Sequence, residues 1–430
     1  MHVFKFGGAS IKSAKEVKNA TAIISVHKDR PLMIVVSAMG KTTNALEQLT
    51  EYFFQGKKDS SIILFNEIKR YHIEIAMELC DDKNCELVTS LEQKFSLLEN
   101  VLNDTPGNNY DFEYDRIVSF GEELSAMIIG YYLNESSIPN RWFNAKDIII
   151  TDARYRDANV YWDKTFEAVE NLLLPFFNSH TKEALHPIAI TQGFIGGTIT
   201  GYVTTLGREG SDYTAAVLAY VLNAYEVCIW KDVPGLLNAD PKIAEQTNLL
   251  PNISYQEAIE LAYYGAKVIH PKTLKPLLNK NIPLRVKSFY DPDEEGTLIN
   301  DNKKLDKLTP SYIFKSNQVM LSISPKDFSF IAEKNLSIIF SEFAKHNIRI
   351  NMMQNSAISF SVCFDFDKIK TPSLINDLER IFRVESLYDK ELLTIRHYRN
   401  AILHPFIKNR KVILEQKTCD TLQLLVKKQE

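Results

Sequence analysis

The sequence predicts an α/β protein with a mainly parallel sheet, followed by smaller α+β units. Two patterns carry this prediction. Through the first 300 residues, short apolar runs that end in glycine or an acid alternate with stretches in which apolar residues have helical spacing. This alternation is typical of a parallel sheet covered by helices. Beyond residue 311 the predicted order changes to strand-helix-strand-strand-helix-strand, which indicates a small α+β unit.

Composition and charge narrow the class of protein. The chain has 430 residues, of which 45% are hydrophobic, enough for a sizeable core and for roughly two to four domains. A formal net charge of −4 gives no general attraction to nucleic acid or to an anionic membrane, so neither is expected as a partner. No apolar run reaches the roughly 18 residues of a membrane span, and no signal peptide is evident, so we expect a cytoplasmic location.

The cysteines give no sign of a disulfide framework. There are five, an odd number, and none forms a CxxC pair. This pattern argues against both a set of structural disulfides and a structural zinc site. Cys228 and Cys363 lie in apolar runs and are expected in the core.

The first predicted strand, in HVFKFGGAS, places a cation among apolar residues. Strand alternation puts Lys5 on the face opposite the two phenylalanines. Gly7 and Gly8 leave backbone N–H groups open to approach, and Ser10 is expected to cap the helix that follows. N–H groups and a helix dipole favour negative charge, so this turn is either an anion site or an ordinary turn with a surface lysine.

Further strand ends follow in order. PLMIVVSAMGKTTN is a buried-strand pattern, and a helical stretch runs from about Ala45 to Leu102. RIVSFGEELS is interpreted as a strand end leading into a helix, and comparable runs are RWFNAKDIIITD, HPIAITQGFIGG, YVTTLGREGSD and YEVCIWKDVPG. Ligands bind at the carboxyl ends of strands in such sheets, so we expect these loops to face one cleft. Two helices around GAKVIHP and a last strand close this part near Gly296.

Charged residues in these loops predict a site for an anion. Arg208 stands between glycines and presents a planar fork suited to a carboxylate or a phosphate. Glu122 could accept hydrogen bonds from an ammonium group, or could simply favour the first turn of a helix. Ser211 or Asp212 could serve only as a helix N-cap, and Asp232 only as a turn former.

The predicted domain division follows the change of pattern. A domain at 1–300 is followed by a charged linker at 301–311, an α+β unit at 312–388 and a shortened second unit of this kind at 389–430.

Six motifs resemble those of one enzyme family. KFGGAS, VVSAMGKTTN, FGEELSA, TQGFIGG with TTLGREGSDYTAA, WKDVPGLLNADPK and AYYGAKVIHP, in this order, resemble the motif series of the aspartate kinases of the amino acid kinase superfamily. The C-terminal units resemble ACT regulatory domains. The resemblance implies a three-layer amino acid kinase-like sandwich. It also implies transfer of the ATP γ-phosphoryl group to the side-chain carboxylate of L-aspartate, giving 4-phospho-L-aspartate on the route to lysine, threonine and methionine.

The resemblance also implies roles for individual residues. A cation in the first motif would bind the phosphoryl group during its transfer, and glycine amides would hold the oxygens of that group. The catalytic set implied in this way is Lys5, Gly7, Gly8, Asp212 and Lys267. An acid would face the substrate ammonium and an arginine its α-carboxylate; the substrate set is Ser37, Thr43, Glu122, Arg208 and Ser211. The ATP set is Lys231, Asp232, Pro234, Gly235, Leu237, Lys242 and Lys267. Mg²⁺ is expected to bind mainly to the ATP phosphates, and no residue is assigned to it.

Several positions depart from the family's usual residues. Threonine is usual at Ala9 and common at Lys231, an aromatic residue often lies at Leu237, and arginine is usual at Lys242. Glu209 stands where GRGGSD would have glycine, so a negative charge enters an anion-binding loop, where it either weakens aspartate binding or points to solvent. We still expect an active enzyme.

The polar turn QNSAIS is a possible effector site. By resemblance to paired ACT units, it would bind free lysine or threonine between two chains of a homodimer or larger homo-oligomer, through Gln354, Asn355, Ser356 and Ser359. The alternative is a simple connection between two core strands. Two other functions stay open: a kinase of the same superfamily with a different acceptor, and a non-catalytic amino acid sensor.

Overall fold

The computed structural model describes residues 1–80, 85–178, 186–244, 246–266, 269–327, 329–400 and 410–427. The chain divides into two compact units. The first comprises Met1–Leu236, Pro251–Ala258 and Ile269–Asn302, and the second comprises Leu237–Leu250, Ile259–Val268 and Lys303–Glu430. The domain boundaries expected from the sequence stay a prediction.

The first unit is built on a mainly parallel sheet. Its strands are β1 (His2–Phe6), β2 (Leu32–Val36), β3 (Arg141–Trp142), β4 (Ile150–Thr151), β5 (Ile188–Gln192), β6 (Ile195–Thr198), β7 (Val203–Thr205), β8 (Glu226–Lys231), β9 (Asn252–Ser254), β10 (Leu284–Ser288) and β11 (Thr297–Asn300). Within the described residues, eight strands pair in the order β3-β5-β2-β1-β8-β10-β11-β9, and the pair β10–β11 is antiparallel. β4, β6 and β7 form a separate small sheet.

Helices connect these strands and pack on both faces of the sheet. They are α1 (Ala14–Val26), α2 (Thr42–Phe54), α3 (Lys58–Leu79), α4 (Glu86–Asn103), α5 (Tyr110–Val118), α6 (Phe120–Glu135), α7 (Ala145–Ile148), α8 (Trp162–Leu172), α9 (Leu174–Asn178), α10 (Gly210–Val221) and α12 (Pro271–Lys280). A further helix, α11 (Tyr255–Tyr264), begins in residues of the first unit and ends in residues of the second. None of the helices in the described part of the chain is long and apolar enough to cross a membrane.

Strand β1 shows how the layers arise from the sequence. Phe4 and Phe6 belong to the large core cluster that also contains apolar residues of α1 and α6. Lys5 points to the opposite face, where it pairs with Asp212 of α10. The period-two alternation predicted for this strand is therefore confirmed, and it places apolar residues on one side and a cation on the other.

The helical stretch predicted from about Ala45 to Leu102 is confirmed for its described residues, where it consists of three helices, α2 to α4. Two local predictions in the first unit were wrong. RIVSF is not a strand, because its residues end helix α5 and begin helix α6, and a short apolar run does not distinguish a buried strand from the buried face of a helix. Ser10 lies in a short 3₁₀ turn and donates its hydroxyl hydrogen to the Trp230 carbonyl oxygen, while Ser13 takes the N-cap position of α1.

The cysteines agree with the expectation of burial but not with the argument against disulfides. Cys228 and Cys363 are buried, in two different core clusters. Cys80, at the end of α3, and Cys85, at the start of α4, are joined by a disulfide that the sequence argument did not anticipate.

The second unit has the predicted α+β order. Its elements are β12 (Ser311–Pro325), α13 (Glu333–Lys345), β13 (Ile350–Asn355), β14 (Phe360–Asp365), α14 (Lys370–Glu379), β15 (Phe382–Arg396), β16 (Val412–Lys417) and β17 (Thr421–Lys427). Within the described residues they form an antiparallel sheet in the order β13-β14-β12-β15-β17-β16. The long strand β15 runs through residues 388 and 389, between which the shortened second unit is predicted to begin.

Candidate active site

A cavity of about 560 Å³ in the first unit brings together a group of the residues singled out in the sequence. It lies at the carboxyl ends of β1, β2 and β8 and at the N-terminus of α10, where a parallel sheet is expected to bind ligands. Eight of the predicted site residues line it: Lys5, Ser37, Thr43, Glu122, Arg208, Ser211, Asp212 and Lys231. The expectation that separate strand ends face one cleft holds for this group.

Two lysines converge on one buried carboxylate in this cavity. The Lys5 Nζ atom lies 2.6 Å from Oδ1 of Asp212, and the Lys231 Nζ atom lies 3.5 Å from Oδ2. Lys5 and Asp212 are only 7% and 2% exposed. Burial alone would raise the pKa of Asp212, but the charges of Lys5 and Lys231 outweigh it and hold that pKa below its usual value. The group therefore carries a net positive charge, which suits an arriving anion.

Glu122 supplies a buried acid on another wall of the cavity. It lies in the first turn of α6 and is 2% exposed. Its Oε1 accepts the N–H of Ala38 at 3.2 Å, whereas Oε2 has no hydrogen-bond partner among the described residues. Burial raises the pKa of this carboxyl to about 8. A cationic group that reached Oε2 would favour the ionised form, so the site is chemically suited to an ammonium.

The loop before α10 carries Arg208 and Glu209. Arg208 is exposed, lines the cavity and makes no hydrogen bond or ion pair within the described part of the chain. Glu209 has a left-handed backbone, with φ of +54°, and its Oε2 accepts the N–H of His270 at 2.9 Å. The Arg208 guanidinium is thus available to a ligand, while the carboxylate of Glu209 is engaged with another segment.

Four lining residues were missed at the sequence level: Glu47, Tyr114, Arg156 and Phe194. Tyr114 donates its hydroxyl hydrogen to Oε1 of Glu47 at 2.5 Å, and the Arg156 guanidinium lies 4.5 Å from the Tyr114 ring centre. The strand-end rule could have found Arg156, because it follows the apolar run DIIIT. Glu47 and Tyr114 lie on two different helices and carry no such signal.

Asp115 holds in place the loop that carries Arg156. It is fully buried and accepts hydrogen bonds from the backbone N–H of Arg156, at 3.1 Å to both oxygens, and from the Thr205 hydroxyl at 2.7 Å. Burial raises the pKa of Asp115 to about 6, against the effect of these hydrogen bonds. The interactions fix the loop of Arg156 to strand β7.

Of the two glycines after β1, Gly8 is tightly enclosed. A Cβ atom on Gly8 would lie 2.6 Å from the Ala38 carbonyl oxygen, so the loops that follow β1 and β2 approach each other more closely than a side chain would allow. The Gly7 N–H points to the Trp230 carbonyl oxygen at 3.4 Å. Of the two amides expected to hold phosphoryl oxygens, that of Gly7 is therefore already engaged.

The remaining predicted residues lie elsewhere. Asp232 and Pro234 are exposed and Gly235 is buried in the turn after β8, whereas Leu237 and Lys242 belong to the second unit. Lys267 lies outside the described residues. The roles predicted for all of these residues stay predictions.

The predicted effector residues lie at the end of β13 and in the turn after it. Gln354 and Asn355 are exposed. The Ser356 N–H donates to the Ser359 carbonyl oxygen at 2.8 Å, and the two serine hydroxyls are also 2.8 Å apart. The serines therefore close the turn with their own hydrogen bonds, and an effector role for the four residues stays a prediction.

Comparisons with known proteins give a consistent result. Residues 1–288 match the model of the amino acid kinase family. The chain is 32% identical over 418 residues to aspartokinase 1, chloroplastic, of Arabidopsis thaliana, a match that covers 91% of this chain and 70% of the relative. It is 31% identical over 401 residues to lysine-sensitive aspartokinase 3 of Escherichia coli, with 89% and 84% covered.

Solved structures agree with this result. The structure of E. coli aspartokinase III in complex with aspartate and ADP (R-state) matches with a TM-score of 0.82 at 27% identity, covering 99% of this chain and 96% of that one. The structure of the same enzyme in complex with lysine and aspartate (T-state) matches with a TM-score of 0.80, also at 27% identity and with the same coverage.

Proposed function

The chain belongs to the aspartokinases of the amino acid kinase family, and from this membership we propose how its cavity performs their reaction. The protein is an ATP-dependent kinase that transfers the γ-phosphoryl group to the side-chain carboxylate of L-aspartate, giving 4-phospho-L-aspartate. We assign the phosphoryl-transfer reaction to this cavity because Lys5 and Lys231 both contact Asp212 there.

Phosphoryl transfer depends mainly on position and charge. ATP and aspartate are both anions, and the transferred group spreads negative charge over its oxygens as it moves. Lys5 lies nearly buried at the end of the central strand, where its ammonium group can neutralise this charge in a site with little water. Asp212 holds the Lys5 side chain in place before the substrates arrive. No general base is needed, because the acceptor is already a carboxylate at neutral pH.

The cavity offers complementary partners for the amino acid. We place the substrate ammonium at the unpartnered Oε2 of Glu122 and the α-carboxylate at Arg208, whose guanidinium can bind it through two parallel hydrogen bonds. Ser37 and Thr43 line the same cavity and add hydroxyl groups. Opposite charges at two separate points would orient the side-chain carboxylate of aspartate toward Lys5.

ATP enters this proposal as the second substrate. The turn after β8, with Asp232, Pro234 and Gly235, is the part of the first unit that we assign to the nucleotide. Mg²⁺ would enter on the ATP phosphates and supply positive charge to them. Asp212 already pairs with two lysines, so we assign no metal ligand to it.

Regulation is proposed for the second unit. A relative is named lysine-sensitive and a similar solved structure contains lysine, so we favour lysine over threonine as the effector. We place the effector near Gln354 and Asn355, between ACT-like units of two chains. Such a site requires a homodimer or a larger homo-oligomer. The cytoplasmic location also stays a prediction.

One assay tests the function. ADP release is measured with ATP, Mg²⁺ and L-aspartate, and the product is trapped with hydroxylamine, which converts an acyl phosphate to a hydroxamate. We expect aspartate-dependent ADP release with matching hydroxamate, and no hydroxamate with L-glutamate. ADP release with a nucleotide or carbamate acceptor instead would favour another kinase of the superfamily, and no release with any acceptor would favour a non-catalytic sensor.

A further inference from the structure

Glu209 occupies a backbone position that normally suits glycine. Its φ and ψ angles of +54° and +30° lie in the left-handed region, which residues with a Cβ atom enter only at a cost in strain. Glycine is also the usual residue of the family at this point of the GREGSD loop. An interaction of the glutamate side chain can offset this strain.

The side chain of Glu209 makes such an interaction with the start of α12. Its Oε2 accepts the N–H of His270 at 2.9 Å, and His270 is the N-cap residue of this ten-residue helix. The unpaired N–H groups of a helix N-terminus favour a negative charge. The carboxylate is therefore held by α12, even though Glu209 also lines the cavity.

A second contact joins the same two segments. Lys272, in the first turn of α12, donates to the Leu206 carbonyl oxygen at 3.1 Å and to Oδ1 of Asp157 at 3.0 Å. Its Nζ also lies 4.9 Å from the ring centre of Tyr213. The contacts of Glu209 and Lys272 together fasten the segment 206–213, which ends in the first turn of α10, to the start of α12.

We propose that Glu209 is a positioning residue for the amino acid substrate. Its hydrogen bond to His270 fixes the loop immediately after Arg208, so that the Arg208 guanidinium stands over the cavity where the α-carboxylate binds. Arg208 has no hydrogen bond of its own within the described residues, so its orientation depends on the backbone that carries it. The inference rests on the proposed function and adds a side-chain contact that a glycine at this position could not make.

Three variants test this role. Glu209→Gly removes the carboxylate and suits the left-handed backbone, so the fold should be kept. Glu209→Gln keeps a side-chain oxygen that can accept the same N–H. Asn281→Gly is the matched control, because Asn281 has nearly the same backbone, with φ of +52°, at the other end of α12 and does not line the cavity.

Steady-state kinetics give the first readout. For Glu209→Gly we expect the KM for aspartate to rise on the order of tenfold, as for loss of one hydrogen bond to a charged group. The KM for ATP and kcat should change by less than about twofold. Glu209→Gln should recover most of the affinity, and Asn281→Gly should match the parent. An aspartate KM that stays within about twofold of the parent in Glu209→Gly, or falls, would overturn the proposal.

Hydrogen exchange gives a second readout that needs no substrate. In the ligand-free protein, amides in the first turn of α12 should exchange faster in Glu209→Gly than in the parent, and not in Asn281→Gly. Unchanged exchange would show that the carboxylate does not hold the loop. If the parent turns over no aspartate, the proposed function fails, and the exchange result still decides whether Glu209 fastens the two segments.

Discussion

The substitution Lys5→Met should affect both turnover and stability. It removes the buried ammonium group and keeps most of the aliphatic bulk. Loss of one such electrostatic group commonly lowers kcat about a hundredfold or more, and we expect at least this loss. The substitution should also destabilise the fold, because Lys5 pairs with Asp212 at 2.6 Å and its loss leaves a buried carboxylate with one partner fewer.

The stability loss can be estimated from the geometry. Removing one partner of a buried pair costs about 3–5 kcal/mol. Lys231 remains, with its Nζ 3.5 Å from Oδ2 of Asp212, but its side chain is 25% exposed, so it compensates only in part. We therefore expect the free energy of unfolding to fall by about 2–4 kcal/mol at neutral pH. The pKa of Asp212 should rise in the variant, since burial raises it and one of the two opposing charges is gone.

Urea unfolding of the parent, Lys5→Met and the double variant Lys5→Met with Asp212→Asn provides the test. The amide of the double variant removes the stranded charge, so it should recover at least about half of the lost stability and none of the turnover. In the parent, the depressed pKa of Asp212 adds stability above the unfolded pKa of about 3.9, and this stability is lost as the pH falls through the folded value. Parent and single variant should therefore converge in acid.

Two results would refute this reasoning. One is a free energy of unfolding for Lys5→Met within about 1 kcal/mol of the parent value at neutral pH. The other is a double variant no more stable than the single one, which would mean that the charge of Asp212 is not the source of the loss.

Three other substitutions address the rest of the proposal. With a Glu122 pKa of about 8, the KM for aspartate should fall as the pH rises from about 6.5 to 8.5, because only the ionised carboxylate attracts the ammonium. Glu122→Gln should remove this pH dependence, and a parent KM that does not change with pH would contradict the assignment of Glu122 to the ammonium. Arg208→Ala should weaken aspartate binding by roughly 2–5 kcal/mol and raise the KM for aspartate far more than that for ATP; a larger effect on ATP would place Arg208 in the nucleotide site. Asn355→Ala should relieve lysine inhibition without lowering uninhibited turnover, and calorimetry that shows no heat with lysine or threonine would exclude an effector role.

The sequence predicted the fold where the signal is local. Alternation in HVFKF gives a strand with opposite faces, and this holds for Lys5 and the phenylalanines. RIVSF failed because a short run with three apolar residues fits either a strand or one face of a helix. The local signal that would have favoured a helix is Asn109, whose side chain caps α5.

The site was predictable to a similar extent. Arg208, in a loop after a strand, and Asp212, in the helix turn that follows this loop, were found because topology brings strand ends together. The contact of Tyr114 with Glu47 joins two helices 67 residues apart in sequence and has no local signature. For Glu209, the departure from glycine is visible in the sequence. Its hydrogen-bond partner is not, because His270 lies 61 residues away.

The central position of β1 has a consequence for synthesis of the protein. Lys5 lies beside Val35 of β2 and Ile229 of β8, so its strand has one neighbour close in sequence and one more than 200 residues later. At ribosomal rates of about 5–20 residues per second, roughly 10 to 45 seconds separate the emergence of Lys5 from that of β8. During this time one edge of an apolar strand stays unpaired, a state that favours wrong association. Lys5 is therefore made more than 200 residues before the strand β8 that completes its surroundings in the sheet.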